Sequence, residues 1–303
     1  MCEGLLARLN DPQYVNWLKA GKCLYIVKDA LHPYADERVR LFHRALLRDE
    51  PRLRRRCPWA CRPADVKLSR ACDSCLHWKS EIVKHHRRPE SALHWDNCAP
   101  SAWPTHHWEL AKAYMPRGQA RVKAAHDCDP AALLNLINFC DCFASVTSNP
   151  ACVTELLRFR NELMHSANLH VNDTWMEKFQ LALARFVQLF SHVPDMALAE
   201  VRLTRMLAVD LSICATDAVD YTGVALAADS EDYEIWPQLI AQWEAALLQE
   251  RLRELRRSAE DETMDSEQLM MLKGFLQENK DLSAKFSAEL PSVGTSAAGR
   301  SQS

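Results

Sequence analysis

The stretch Val153-Thr154-Glu155-Leu156-Leu157-Arg158-Phe159-Arg160-Asn161-Glu162-Leu163-Met164-His165 decides the fold. Val153, Leu156, Leu157, Leu163 and Met164 recur at spacings of three, four and seven, the period of a helix with one buried face. The pattern therefore predicts a helix that carries Arg160, Asn161 and His165. An imidazole exchanges a proton near neutrality, and a guanidinium can hold phosphate oxygens bidentately. Those are the two tools of metal-free RNA cleavage: one group moves the 2′-hydroxyl or 5′-oxygen proton, and the other stabilises charge at phosphorus.

Arg160-Asn161-Glu162-Leu163-Met164-His165 resembles the R-polar-x3-H motif of HEPN-domain proteins, many of which are dimeric ribonucleases. The resemblance implies a composite site made by two copies of the motif across a homodimer. In it Arg160 would contact the scissile phosphate, Asn161 would orient or hydrogen-bond, and His165 would be the acid/base. Positions five apart on a straight helix point roughly 140° apart, so one helix alone focuses these groups poorly.

Working outward, residues 107–210 read as a helical block. Leu133, Leu134, Leu136, Ile137 and Phe139 open the helix before the motif. Trp175, Phe179, Leu183, Phe186, Val187 and Phe190 form a long amphipathic helix after it, capped by Asn172 or Asp173. Residues 1–50 read as two or three helices, with Asn10-Asp11-Pro12 as a cap and first-turn proline. The fold class expected is all-α, an up-and-down bundle, and the HEPN resemblance implies the same architecture. Only seven glycines in 303 residues, and no strand alternation, point the same way.

Residues 51–106 hold a Cys/His/Trp-rich segment that predicts a zinc module inserted between the helices. Cys72-x2-Cys75 followed by His94-x3-Cys98 suits one tetrahedral, structural zinc. Cys57-x3-Cys61 competes with His94 and Cys98, and His85 or His86 with His94, so the set stays open among these residues. Trp78, Trp95, Trp103 and Trp108 are expected to pack around the cluster. Cys140 and Cys142 read as core thiols, because no protease signature accompanies them.

Charge is unevenly spread. Arg52 to Arg88 carries eleven Lys/Arg against three Asp/Glu, whereas residues 229–290 carry fifteen acidic against seven basic residues. The basic stretch, interleaved with Trp59, Trp78 and Trp95, could attract a phosphate backbone and stack bases, or be a solvated loop around the metal. Residues 211–290 predict acidic C-terminal helices, one over Ile235 to Ser258 and one over Ser266 to Ala288. These would form a hairpin, or a short coiled coil that joins two chains, and the C-terminal helices could also dock other proteins. Residues 291–303 are expected to be a disordered tail.

No signal-peptide pattern or long apolar run occurs, so the expectation is an intracellular chain, cytoplasmic or nuclear, with no membrane partner. Twelve cysteines without a secretory signal fit thiols or metal ligands in a reducing compartment. Phosphate-binding glycine loops and the His-Glu-x-x-His motif are absent, which removes the usual handles of nucleotide hydrolysis, dinucleotide chemistry and zincin proteolysis.

Tyr14 to Gly21, Cys72 to Cys75, His94 to Cys98, Ala113 to Gly118 and Arg160 to Ser166 occur in that order. Together they resemble an uncharacterised vertebrate X-chromosome open-reading-frame protein family with a domain of unknown function, through about residue 290. Two functions follow as expectations. One is a dimeric HEPN-like interaction protein, non-catalytic or RNA-binding. The other is a metal-independent endoribonuclease that leaves 2′,3′-cyclic phosphate ends.

Overall fold

The computed structural model describes residues 2–88, 91–145, 149–211, 237–260 and 266–286. Among them the regular structure is helical, as the composition implied, apart from one antiparallel bridge between His86 and Cys140. No helix among the described residues is long and apolar enough to cross a membrane. The expected disorder of 291–303 lies outside the described residues.

The chain divides into two compact units, each assembled from separated segments. The larger comprises Lys19–Leu163 and Val171–Val209. It contains most of α2 (Pro12–Asp49), then α3 (Pro63–Lys67), α4 (Asp73–Lys84), α5 (His107–Ala111) and α6 (Pro130–Phe139). It also holds α7 (Pro150–Met164, up to Leu163), α8 (Asp173–Leu189) and α9 (Pro194–Ala208). The apolar face read from the sequence of α7 is buried, with Val153, Leu156 and Leu163 wholly shielded. Helix α8 begins where its cap predicts: the Asn172 side chain accepts from the Trp175 amide at 2.8 Å. Its Phe179, Leu183 and Phe186 fill the core.

The smaller unit comprises Met1–Leu18, Met164–His170 and Asp210–Ser303. Its helices are α1 (Cys2–Leu9), the start of α2, α10 (Pro237–Glu260), α11 (Ser266–Glu278) and α12 (Lys280–Phe286). Asp11 caps α2 by accepting from the Gln13 amide at 2.8 Å. Residues 2–49 thus form two helices, because α2 runs on through Pro33. Leu247, Leu248, Leu252 and Leu255 of α10 are buried, as their stripe predicts, but so are Glu244 and Arg251.

Arg8 explains the buried acid. Its Nε and Nη2 donate to Glu244 at 2.7 and 2.9 Å, and Nη1 and Nη2 donate to Asp281 at 3.0 and 2.9 Å. A fifth bond from Nη1 reaches Asn279 Oδ1 at 2.9 Å, so every N–H of the guanidinium is used. The Tyr14 hydroxyl donates to Glu244 at 2.6 Å. The same network corrects the single helix expected over 266–288. Asn279 separates α11 from α12, turning its Nδ2 to the Phe275 carbonyl at 2.8 Å while its oxygen faces Arg8.

Candidate functional site

Four thiols converge on the segment between α2 and α4. After α2 a 3-10 turn, Pro51–Arg54, drops Leu53 into the core and delivers Cys57. Cys61 precedes α3, Cys72 is the N-cap of α4, and Cys75 lies in its first turn. The Sγ atoms of Cys57, Cys61, Cys72 and Cys75 all lie within 4.8 Å of one another, an arrangement that could hold a metal ion. Cys57 and Cys72 are 3.7 Å apart. Metal–sulfur bonds of about 2.3 Å at tetrahedral angles place neighbouring sulfurs about 3.8 Å apart, so the spacing fits a four-thiolate site with no open position.

Backbone amides aim into the centre. The Cys61 amide donates to Cys57 Sγ at 3.3 Å, and the Cys72 amide to Cys61 Sγ at 3.2 Å. Burial pushes the Cys57 thiol up, but hydrogen bonds from the amides of Cys61 and Trp59, together with those from the Cys61 and Cys75 thiols, bring the group down to about 7. Burial pushes Cys61 and Cys75 up, and the adjacent thiols add to it. A thiolate at Cys57 is thus accessible near neutrality, the form that binds metal.

The turns between ligands use left-handed backbone at two non-glycine residues, Ala60 (φ 48°) and Ser69 (φ 56°). Each costs about 1–2 kcal/mol, which tight anchoring of the loop offsets. That anchoring is visible. Ser74 Oγ donates to the Arg55 carbonyl at 2.6 Å, and Lys79 Nζ to the Val66 carbonyl at 2.8 Å. Trp78 is buried, stacks on His43 at 5.4 Å and donates to the Leu53 carbonyl at 3.0 Å.

The structure brings Cys72 and Cys75 together with the competing pair Cys57 and Cys61, and not with His94 and Cys98. His94 starts a 3-10 turn, and burial pushes its imidazole down. Cys98 is buried, and its thiol is pushed up by that burial. What organises this segment is Asn97. Its amide donates to the carbonyls of Lys112 and Pro116 at 3.0 and 2.8 Å and accepts from the Gln119 amide at 2.9 Å. His85 pairs with Asp141 at 2.6 Å, and His86 stacks on Tyr114 and Phe139, so neither replaces His94 in the cluster. Trp103 and Trp108 are buried core residues, whereas Trp59, between the first two thiols, is 69% exposed.

The motif residues of α7 have contrasting surroundings. Arg160 is 1% exposed, and its Nη1 donates to the Asn161 side chain at 3.3 Å. Asn161 itself is exposed. His165 lies one residue beyond the end of α7 and not on it, in a turn followed by left-handed Asn168 and Leu169. Its imidazole is exposed, with Nδ1 2.8 Å from Gln268 Oε1. Along α7 and α8 a cleft of about 490 Å³ is lined by residues that include Arg158, Glu162, Trp175 and Lys178. Glu162 closes part of it by pairing with Arg158 at 2.6 Å and Trp175 Nε1 at 2.8 Å. Cys140 and Cys142 are buried with their sulfurs 3.2 Å apart.

A family model described as "Domain of unknown function (DUF4559)" matches residues 8–295. The chain is also 37% identical over 290 residues to the "Uncharacterized protein CXorf38 homolog" of Mus musculus, covering 92% of this chain and 88% of that protein. No solved structure matches the chain. Both similarities span the thiol cluster and the Arg160–His165 segment, so the chain belongs to the family defined by this domain of unknown function.

Proposed function

We propose that the protein is a non-catalytic, RNA-binding, HEPN-like homodimer whose thiol cluster holds one structural zinc. The observation that carries the reading is the cationic collar around the thiols. Arg52, Arg54 to Arg56, Arg62, Lys67 and Arg70 are all exposed, and only Asp65 and Asp73 oppose them along Arg52 to Cys75. This surplus survives the two negative charges of a four-thiolate zinc centre. Held on a loop tied down by the bonds of Ser74 to Arg55, Lys79 to Val66 and Trp78 to Leu53, such a collar suits a phosphate backbone. The burial of Arg160 supports a structural role for the motif, since a shielded guanidinium offers no face to a phosphate. Binding of a labelled RNA at increasing salt tests the reading: affinity should fall steeply as the entropic gain from releasing condensed counterions shrinks. Affinity absent at low salt would refute it.

The exposed imidazole of His165, oriented through Nδ1 by Gln268, favours the second reading, a metal-independent endoribonuclease. Incubation of end-labelled RNA without added divalent metal separates the two. Cleavage to 2′,3′-cyclic ends by the wild type, lost in His165→Ala, would establish the nuclease, whereas intact RNA bound by a folded dimer agrees with the non-catalytic reading.

A further inference from the structure

We propose that Trp59 is a stacking platform for unpaired bases of single-stranded RNA, with the flanking arginines holding the adjacent phosphates. The inference rests on the RNA-binding reading above and names the class of RNA and the contacting residue.

Among the described residues of the larger unit Trp59 is the most exposed large apolar side chain, at 69%, while Trp78, Trp103 and Trp108 are buried. It sits midway between Cys57 and Cys61, after Pro58 and before left-handed Ala60. Its backbone amide faces the Cys57 sulfur and its ring lies in solvent. The backbone that carries the ring is therefore held by the thiol loop while the ring itself stays open to solvent, which lowers the cost of ordering the loop when a base stacks on it. Every base offers a π-face, but only unpaired bases leave it open, since the stacked bases of A-form RNA are closed to a side chain.

The charged surroundings favour a nucleic acid over a lipid surface. Six of the seven exposed cations on this loop are arginines, whose planar fork matches phosphate bidentately and also stacks. Insertion into a bilayer would call for a broad apolar tip, whereas the exposed apolar run here is the short Pro58-Trp59-Ala60, bounded by Arg56 and Arg62, with Leu68 apart from it between Lys67 and Arg70. One ring with cations on both sides instead matches the alternation of base and phosphate along a single strand.

The test uses the full zinc-loaded chain with three probes: a 20-nucleotide oligouridylate, a duplex RNA of the same length, and phosphatidylserine vesicles. Trp59→Ala should weaken oligouridylate binding by about 5- to 150-fold while zinc content is retained, and Trp59→Phe should restore most of it. RNA-induced quenching of tryptophan fluorescence should be lost in Trp59→Ala. Arg55→Gln with Arg56→Gln should flatten the salt dependence for both RNAs. Wild-type RNA binding unchanged by Trp59→Ala would overturn the platform and leave the RNA-binding reading standing. Duplex bound as tightly as single strand, and equally weakened by the variant, would also overturn it. No RNA binding by the wild type, with or without binding to vesicles, would overturn both.

Discussion

Cys57 and Cys72, 15 residues apart in the chain, hold their sulfurs 3.7 Å apart. That separation is far beyond a disulfide bond of about 2.05 Å and close to the edge of a tetrahedral zinc–thiolate site. The two come from opposite sides of α3, one from the loop after the 3-10 turn and the other from the cap of α4. Closing that gap brings the arginines and Trp59 onto one short loop.

The first prediction concerns ligand identity. Purified protein should carry about one zinc per chain, and Cys57→Ser or Cys61→Ser should lower the content sharply. Cys98→Ser and His94→Ala should leave it unchanged. Elemental analysis by mass spectrometry reads the outcome, and zinc loss with His94→Ala but not with Cys61→Ser would reverse the assignment.

Arg8 anchors the smaller unit through Glu244, Asp281 and Asn279. Removing it leaves Glu244 buried without its cation, and breaking such a pair from one side costs about 3–5 kcal/mol. Arg8→Ala should lower the urea midpoint accordingly. A shift within experimental error would mean that the network contributes little.

Asp281 gives that network a pH dependence. The Arg8 guanidinium holds its carboxyl below the ordinary carboxylate value despite opposing burial. Its contribution is therefore complete above the unfolded value of about 3.9 and is lost as pH falls through the lower folded value. Urea unfolding from pH 6 down to pH 2 should steepen below pH 4 in the wild type. Asp281→Asn should be less stable at pH 6 and lose less on acidification; parallel pH curves would contradict this.

Arg160 and His165 should separate by their effects on stability. The guanidinium is buried, so Arg160→Ala should cost about 2–3 kcal/mol. The exposed His165→Ala should stay within about 0.5 kcal/mol of the wild type. Thermal unfolding followed by circular dichroism provides the comparison. Equal, negligible effects would remove the argument for a structural Arg160.

Local signals made much of the fold legible. The period of Val153 to Met164, the caps at Asp11 and Asn172, and the leucine stripe of α10 are set by neighbours in sequence, and each is where its pattern puts it. Pairings across the chain were not legible. Glu244 lies inside an apolar stripe because Arg8, 236 residues away, meets it there, and Asn279 ends α11 within the same network. In the thiol module the spacing grouped Cys72 and Cys75 with His94 and Cys98 and offered Cys57 and Cys61 only as a competing pair, whereas the thiols that cluster are the four of Cys57, Cys61, Cys72 and Cys75. The choice of Cys57 and Cys61 depends on turns at Ala60 and Ser69, where no glycine marks the left-handed backbone. His94 and Cys98 had metal-ligand spacing, yet Asn97 between them, through its bonds to three backbone groups, organises that segment.

X-ray absorption at the zinc edge of the purified chain tests the central claim most directly. The account predicts a first shell of four sulfurs at about 2.3 Å with no nitrogen contribution. A shell containing imidazole nitrogen, or protein that folds without bound metal, would contradict it.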